Sequence, residues 1–347
     1  MNQAQLRALP KAELHNHLDG GLRVATVIEL ADEIGYASLP TTDVTDLGAW
    51  FYQGDSGSLE AYLAGFEHTI AIMQTADAIE RVAYEAGIDV AGDGAIYAEI
   101  RFAPNLNTRR GLAREDVIEA AISGFERASA EAGVVIGLIV DAMRNEPGSL
   151  ADARAAVRFA GRGVVGFDLA GPEYGHPPDA HLAACRLAKE YGLGLTIHAG
   201  EADGPDSIHR AVTKCGADRI GHGIRIVDDT QHSDGEITDV GSVAAMVRDL
   251  QIPLEVCPAS NLHTLQLRPQ DHPLGKLQRA GFNVTLNTDN RLMSRTSLTA
   301  EFQFAVEHHG FELADLEAAT VSALQAAFVD HPTRVRLITR VRAAYAS

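Results

Sequence analysis

The stretch ELHNHLDG, residues 13–20, places two histidines two positions apart and an aspartate two positions further on. Successive residues of a β-strand point to opposite faces, so residues i, i+2 and i+4 share one face. If this stretch is a strand, His15, His17 and Asp19 emerge together on one side. Three converging polar groups predict a binding site, although an H-x-H pair alone is a weak signal for a metal.

Seven further short apolar runs have the pattern of strands, and helical patterns separate them. The eight predicted strands are Ala12–Leu18, Tyr97–Phe102, Val134–Val140, Val164–Leu169, Leu193–His198, Arg219–His222, Pro253–Cys257 and Asn283–Asn287. The predicted helices are Ala25–Ile34, Ser58–Gln74, Ala76–Gly87, Ala113–Ala132, Leu150–Ala160, Asp179–Tyr191, Asp206–Lys214, Val240–Leu250 and Pro273–Ala280. The segment Tyr36–Gly57 is interpreted as a loop-like insertion that forms a rim or lid.

Eight strand–helix repeats predict an α/β fold, a (β/α)8 TIM barrel that forms a single domain over residues 1–347. Extra helices are expected in the insertion after the first strand and at the C-terminus. An open, doubly wound sheet also alternates strands and helices. It is disfavoured because open sheets usually have fewer strands. In addition, no G-x-G-x-x-G motif opens a helix after the first strand.

Composition narrows the class of partner. The formal net charge of −18 disfavours binding to nucleic acids or to anionic membranes. The chain has three scattered cysteines, which predict reduced thiols rather than a disulfide framework. The N-terminal residues lack an apolar signal core, and no apolar run approaches the roughly 18 residues of a membrane span. The expectation is a cytoplasmic protein.

In a TIM barrel the active site lies at the C-terminal ends of the strands. Four of the 14 histidines, His15, His17, His198 and His222, lie at predicted strand ends, and Asp289 follows the eighth strand. Imidazole and carboxylate together suit a divalent ion such as Zn²⁺. We therefore predict that His15, His17, His198 and Asp289 bind a metal, with one position left for a water whose pKa the ion lowers toward about 7. His222 stays open as a further ligand.

Glu201 lies three residues beyond His198, after a glycine that permits a sharp turn, and is a candidate general acid or base. Each of these residues has an ordinary structural interpretation. Glu201 alone fits the start of a helix, and Asp289 alone fits a turn. Only their joint placement at the ends of several strands indicates a metal-dependent hydrolase.

With these residues in place, the sequence resembles the adenosine deaminases of the metal-dependent amidohydrolase superfamily. The resemblance runs from Pro10 to about Ser297. It rests on PKAELHNHLDG (10–20), YAEIRFAP (97–104), FDLAGPE (167–173), TIHAGE (196–201), RIGHG (219–223), LEVCPASN (254–261) and LNTDN (286–290). The deaminases with an H-x-E and P-C-x-x-C zinc signature are excluded, because neither motif occurs in this sequence.

The resemblance implies one Zn²⁺ per chain, bound by His15, His17, His198 and Asp289. It implies that Glu201 protonates N1 of the purine. It also implies that His222 and Asp289 orient the attacking hydroxide and take its proton. The implied catalytic residues are thus Glu201, His222 and Asp289, and the implied reaction converts adenosine and 2′-deoxyadenosine to inosine and 2′-deoxyinosine with release of ammonia, as in purine salvage.

The resemblance also implies the substrate contacts, which are His17, Asp19, Gly171 and Asn290. Gly171 is expected to offer its backbone N–H to the purine, and Asp19 a hydrogen bond to the ribose. Relatives that act on free adenine or on a modified nucleoside tend to have Glu in place of Asp19. Asn290 departs from the family pattern, which usually has an acid there that donates to purine N7. Because an amide always carries donors, that contact can persist.

Three rival hypotheses stay open at this stage. A deaminase of another aminopurine, such as adenine or aminodeoxyfutalosine, fits the same motifs. A non-catalytic relative that binds nucleosides or a protein is disfavoured because every ligand and the acid are present. A hydrolase of amides or phosphate esters often holds two metals bridged by a modified lysine. The fourth strand, VVGFDLAG, has no lysine, which favours one metal. The expected partner is a small purine nucleoside, and the oligomeric state is left open.

Overall fold

The barrel is built from eight parallel strands whose neighbours in space follow their order in the chain. The computed structural model describes residues 1–54, 56–63 and 65–346, without the side chains of residues 60 and 61. Its strands are β1 (Lys11–His17), β2 (Ala95–Phe102), β3 (Val135–Met143), β4 (Val164–Ala170), β5 (Gly194–Ala199), β6 (Arg219–His222), β7 (Thr230–Ser233), β8 (Glu236–Val240), β9 (Leu254–Val256) and β10 (Val284–Leu286). The parallel sheet runs β1-β2-β3-β4-β5-β6-β9-β10, and β7 and β8 form a separate antiparallel hairpin.

The last strand returns to the first and nearly closes the barrel. Asn16 forms a parallel bridge with Asp289 just beyond β10. The backbone N–H of His17 donates to the carbonyl of Asp289 at 2.8 Å, and the N–H of Asp289 donates to the carbonyl of His15 at 2.9 Å. The predicted TIM barrel is therefore confirmed. The same backbone hydrogen bonds hold two of the predicted ligands, His15 and His17, next to a third, Asp289.

Helices cover the outside of the barrel and connect the strands. They are α1 (Gln3–Ala8), α2 (Val24–Ile34), α3 (Val44–Phe51), α4 (Leu59–Leu63), α5 (Phe66–Ile72), α6 (Ala76–Gly92), α7 (Arg114–Ala132), α8 (Ser149–Val157), α9 (Leu182–Glu190), α10 (Pro205–Arg210), α11 (Ser242–Asp249), α12 (Pro258–Leu265), α13 (Leu274–Arg279), α14 (Leu298–His309), α15 (Leu313–Ala326) and α16 (His331–Tyr345). None of the helices in the described ranges is long and apolar enough to cross a membrane. Cys185, Cys215 and Cys257 are buried free thiols, as expected.

The interior of the barrel is charged. Along β2, side chains alternate between the surrounding helices and the interior, so Glu99 and Arg101 face inward among apolar neighbours that face outward. Both are fully buried, and so are Asp168 in β4 and Glu255 in β9. Charges are rarely buried unless they are paired. These inward residues therefore have to neutralise one another, and they lie beneath the strand ends that carry the predicted ligands.

The insertion between β1 and β2 is more helical than predicted. The segment Tyr36–Gly57 contains the helix α3 instead of being a loop throughout, although residue 55 lies outside the described part of the chain. Asp43 caps α3 by accepting hydrogen bonds from the backbone N–H groups of Thr45 and Asp46. The predicted helix Ser58–Gln74 is divided into α4 and α5, with residue 64 outside the described residues. The hairpin β7–β8 was not predicted.

The helix predicted to stop at Gly87 continues to Gly92, because this glycine serves packing and not termination. A Cβ at Gly87 would lie 2.5 Å from the Cβ of Ala128 on α7 and 2.8 Å from Cδ1 of Ile136. No real Cβ contact is that short, so the absence of a side chain lets α6 approach α7 and the sheet.

We expect Gly87→Ala to destabilise the protein by up to about 2 kcal/mol, because an overpacking cost of about 1–3 kcal/mol outweighs the gain in helix propensity of about 1 kcal/mol. Gly92→Ala is the matched control in the same helix, since the space around that Cβ is open. The free energy of unfolding, measured by urea titration, should fall only in the first variant. Equal effects of the two substitutions would contradict this account.

Candidate metal centre and active site

The four predicted metal ligands meet at the C-terminal end of the barrel. His15 and His17 come from β1, His198 from β5 and Asp289 from the segment after β10. One ligand atom from each lies within 4.8 Å of the others, and all four residues are largely buried. Oδ1 of Asp289 is 3.4 Å from Nε2 of both His15 and His17, and Nε2 of His17 is 3.2 Å from Nε2 of His198.

The donor set fits a divalent cation. Nε2 of His15 is buried and has no hydrogen-bond partner among the described residues, although it faces the other ligands. Each of the three histidines has its other ring nitrogen, Nδ1, beside a buried carboxylate, an arrangement that orients metal-binding imidazoles and fixes their tautomer. The pairs are His15 with Glu255 at 2.9 Å, His198 with Asp168 at 2.9 Å, and His17 with Asp141 at 3.4 Å.

Two members of the cluster, Asp289 and His17, have shifted pKa values that favour metal binding. Burial opposes ionisation of Asp289, but contact with His15 and the nearby His222 and His17 hold the pKa of this carboxyl far below its usual range. Burial lowers the pKa of His17 well below its usual value, only partly opposed by Asp289. A metal binds carboxylate and neutral imidazole, so little proton release is needed at these two positions.

Two arginines inside the barrel hold the carboxylates behind the histidines. Arg101 donates from Nη1 to Asp168 Oδ2 at 2.7 Å and from Nη2 to Glu255 Oε2 at 2.9 Å. Arg219 donates from Nε to Glu255 Oε1 at 2.6 Å and also pairs with Glu99. Burial of Glu255 disfavours its charge, but Arg101 and Arg219 keep its pKa well below the ordinary value. These groups were not assigned a role from sequence.

A cavity of about 440 Å³ opens over the ligand cluster. It is lined by all seven of the residues to which the sequence assigns a catalytic or substrate contact: His17, Asp19, Gly171, Glu201, His222, Asp289 and Asn290. The same cavity is also lined by four apolar or aromatic residues, Leu59, Tyr62, Leu63 and Phe66. The hydroxyl of Tyr62 is 2.7 Å from Oγ of Ser294, which connects α4 with the segment after β10. The volume is within the usual range for a small-molecule site.

Glu201 is a buried acid that faces the cavity. Burial, together with the charge of Asp289, raises its pKa to about 8, so the carboxyl is protonated at neutral pH. Its Oε1 accepts a hydrogen bond from Thr264 at 3.0 Å, and its Oε2 is 3.5 Å from Nε2 of His222. A protonated carboxyl beside the metal cluster can deliver a proton to a bound molecule.

The loop that carries Glu201 is fixed by Glu173, a residue missed by the sequence-based assignment. The carboxylate of Glu173 accepts backbone hydrogen bonds from all four residues 200–203, at 2.6–3.0 Å. Gly200 adopts a left-handed conformation with φ +72°, as its place before Glu201 suggested. The motif AGPE contained the signal for this role of Glu173, because a carboxylate that is buried just after a strand end needs several hydrogen-bond donors.

Two catalytic candidates have unusual backbone conformations. His222 has φ +59° and Asp289 has φ +58°, a region that residues other than glycine rarely adopt. Such strain persists only where the surroundings enforce it, and it is concentrated at functional sites. Both residues line the cavity, and they point their side chains toward the same space as Glu201.

The predicted substrate contacts surround this space. Gly171 has φ +90°, a backbone conformation that favours glycine, and a Cβ there would lie 2.8 Å from the flexible end of Met143. Burial raises the pKa of Asp19 to about 7. Oδ1 of Asp19 and Oδ1 of Asn290 are buried and have no hydrogen-bond partner within the described ranges. Both are therefore able to accept from a bound molecule.

Comparison with known proteins agrees with this geometry. A family model described as adenosine deaminase matches residues 10–344. The chain belongs to the adenosine deaminase family. An adenosine deaminase from Mycobacterium ulcerans is 48% identical over 344 residues, which cover 97% of this chain and 95% of the relative.

Solved structures of the adenosine deaminase fold are also similar. An adenine deaminase from Arthrobacter aurescens superposes with a TM-score of 0.87 at 25% identity and covers 98% of this chain and 100% of its own. An amidohydrolase from Burkholderia ambifaria with bound Zn has a TM-score of 0.84 at 26% identity, over 99% of this chain and 91% of its own. The family and the barrel fold are thereby established independently of the motifs.

We predict that chelation lowers the thermal midpoint and that stoichiometric Zn²⁺ restores it, because a ligand at 100 times its Kd stabilises by about 2.7 kcal/mol. Asp289→Asn should lose most of this shift. Asp19→Asn is the control, since it makes the same change in the same cavity outside the ligand cluster. An unchanged shift in Asp289→Asn, measured by calorimetry, would remove Asp289 from the ligand set.

Proposed function

We propose that this protein is a zinc-dependent hydrolase that deaminates adenosine and 2′-deoxyadenosine to inosine and 2′-deoxyinosine, with release of ammonia, in purine salvage. The supporting observation is the position of Glu201, which is buried beside the donor set of three histidines and one aspartate and whose pKa is raised by that burial. The relative from Mycobacterium ulcerans, named an adenosine deaminase, shares 48% of its residues over nearly the whole chain. One Zn²⁺ per chain would be held by His15, His17, His198 and Asp289.

When bound, the zinc would act as a Lewis acid and lower the pKa of a water molecule toward about 7. Glu201 provides the proton for N1 of the purine, which makes C6 electrophilic. Asp289 and His222 orient the water, and one of the two accepts its proton. Water adds to C6, and the proton taken from it passes to the amino group. The C6–N bond then breaks, ammonia leaves, and the proton of the remaining hydroxyl on C6 restores Glu201.

Binding of the nucleoside is assigned to the walls of the cavity. The backbone N–H of Gly171 and the side-chain amide of Asn290 are suited to hydrogen bonds with the purine ring. Asp19 and His17 are suited to contacts with the ribose, because both line the cavity: His17 ends β1 within the ligand cluster, and Asp19 lies two residues further on. An aspartate at position 19 favours a nucleoside. Comparing turnover of adenosine, adenine and aminodeoxyfutalosine separates this substrate from the alternatives.

We expect Glu201→Gln to keep the metal and lose at least about 10²–10⁴-fold in kcat, since positioned proton transfer contributes a factor of that order. Glu146→Gln is the matched control, because Glu146 lines the same cavity but is bonded only to Asn105 among the contacts described. Ultraviolet absorbance with adenosine and metal analysis of each variant give the readout. Substantial activity in Glu201→Gln would remove this residue from its role. An inactive wild type with bound zinc would contradict the proposed function.

Asn290→Asp should stay active, but its activity should show an additional decline as the pH rises. A carboxyl donates to purine N7 only when it is protonated, whereas the amide donates at every pH. Activity of the variant should therefore be full below the pKa of the new carboxyl and fall above it, more steeply than the decline caused by Glu201 alone. Profiles of kcat/KM against pH test this. An unchanged profile, or complete inactivity, would count against the assigned contact.

A further inference from the structure

A chain of buried hydrogen bonds leads from His222 away from the cavity to a second histidine. His222 contacts Asn261 on α12, and Asn261 contacts His272, which lies just before α13. All three residues are buried, and His272 is 1% exposed. Neither Asn261 nor His272 lines the cavity over the metal cluster, so the site as described gives them no function.

The direction of the chain is fixed at its far end by a backbone donor. The N–H of Leu274 donates to Nδ1 of His272 at 3.2 Å. A backbone N–H cannot accept, so Nδ1 of His272 is the unprotonated nitrogen of a neutral ring. Its proton is then on Nε2, which lies 3.4 Å from Oδ1 of Asn261 and donates to it.

A second backbone donor fixes the side-chain amide of Asn261. The N–H of Cys257 donates to Oδ1 of Asn261 at 3.4 Å. Two donors thus converge on this atom, which has to be the amide oxygen. The amide nitrogen is thereby turned toward His222, and Nδ2 of Asn261 lies 3.1 Å from Nδ1 of His222.

Nδ1 of His222 consequently accepts a hydrogen bond. A neutral imidazole has one N–H, so the proton is on Nε2. Nε2 is the nitrogen that faces the cavity, 3.5 Å from Oε2 of Glu201. The Nδ1–H tautomer and the imidazolium both carry a proton on Nδ1. Both are disfavoured, because that proton would point at the amide hydrogens of Asn261.

We propose that Asn261 and His272 are positioning residues that hold His222 in the Nε2–H tautomer, so that His222 donates a hydrogen bond to the reacting oxygen instead of accepting a proton. This inference rests on the proposed function and refines it. Asp289 then takes the proton of the attacking water. The N–H of His222 stabilises the oxygen as it bonds to C6, and no net proton is exchanged with His222.

The tautomer is measured directly by ¹⁵N NMR of histidine-labelled protein, with and without Zn²⁺. The signals of His222 are identified among the 14 histidines by their loss in His222→Gln. We expect a protonated Nε2 and an unprotonated Nδ1 in the wild type. The opposite pattern would overturn the proposal, whatever the catalytic activity of the protein.

Asn261→Asp reverses the pattern with little change of shape. A carboxylate only accepts, so it favours a proton on Nδ1 of His222 and removes the N–H that faces the cavity. We expect the NMR pattern to switch and kcat to fall about 10²-fold, the usual effect of losing one donor to a developing negative oxygen, with KM nearly unchanged. Unchanged or increased kcat together with a switched tautomer would show that His222 acts as a base and would refute the donor role.

The His272 variants repeat the test without adding a charge. His272→Leu removes the donor that orients Asn261, and His272→Gln restores an N–H at similar reach. We expect mixed tautomers of His222 and reduced kcat in the first variant, and recovery of both in the second, at unchanged metal content. Identical loss in both variants would reduce His272 to a packing role.

If wild-type protein fails to deaminate adenosine, the proposed function fails, while the NMR result still decides the tautomer.

Discussion

The structure depends on keeping several charges paired inside the barrel. A metal site of three neutral histidines and one aspartate needs carboxylates behind the imidazoles to hold their tautomers, and those carboxylates are buried. An isolated buried carboxylate loses several kcal/mol of hydration, so each requires a partner. Arg101 supplies this for Asp168 and Glu255 together, with one guanidinium between two acids from opposite sides of the barrel.

The barrel fold is what brings these paired groups together. The paired groups come from β2, β4, β6 and β9, which are far apart in the sequence and meet only across the interior. The backbone hydrogen bonds of Asp289 with His15 and His17 then place the ligand that comes from the end of the chain next to the two that come from its start. The same hydrogen bonds therefore join the two ends of the sheet and bring Asp289 beside His15 and His17.

The sequence predicted the parts of this structure that follow local rules. The strand ends, the H-x-H spacing of His15 and His17, and the glycine before Glu201 all depend on neighbours in the chain. The roles of Glu173 and Arg101 were not predicted, because their partners are set by register across the barrel and not by spacing. The predicted helix Ser58–Gln74 is divided into α4 and α5, which both line the cavity, and the contact of Tyr62 with Ser294 there joins residues far apart in the sequence. Gly87 was misread as a stop signal because close packing on α7 leaves no trace in the local pattern.

The distinction between features set by neighbours in the chain and features set by contacts across the fold also applies to the protons of the site. Residue types alone leave His222 able to donate or accept, and only the backbone amides of Leu274 and Cys257, acting through His272 and Asn261, make one choice favourable. Backbone donors cannot reverse their direction when the pH or the ligand changes, so a tautomer anchored to them is held throughout the reaction cycle. Glu201 is set differently, by burial next to Asp289, and its protonation follows the charge in the cavity. One group is thus fixed as a donor by geometry, and the other stays free to give up its proton.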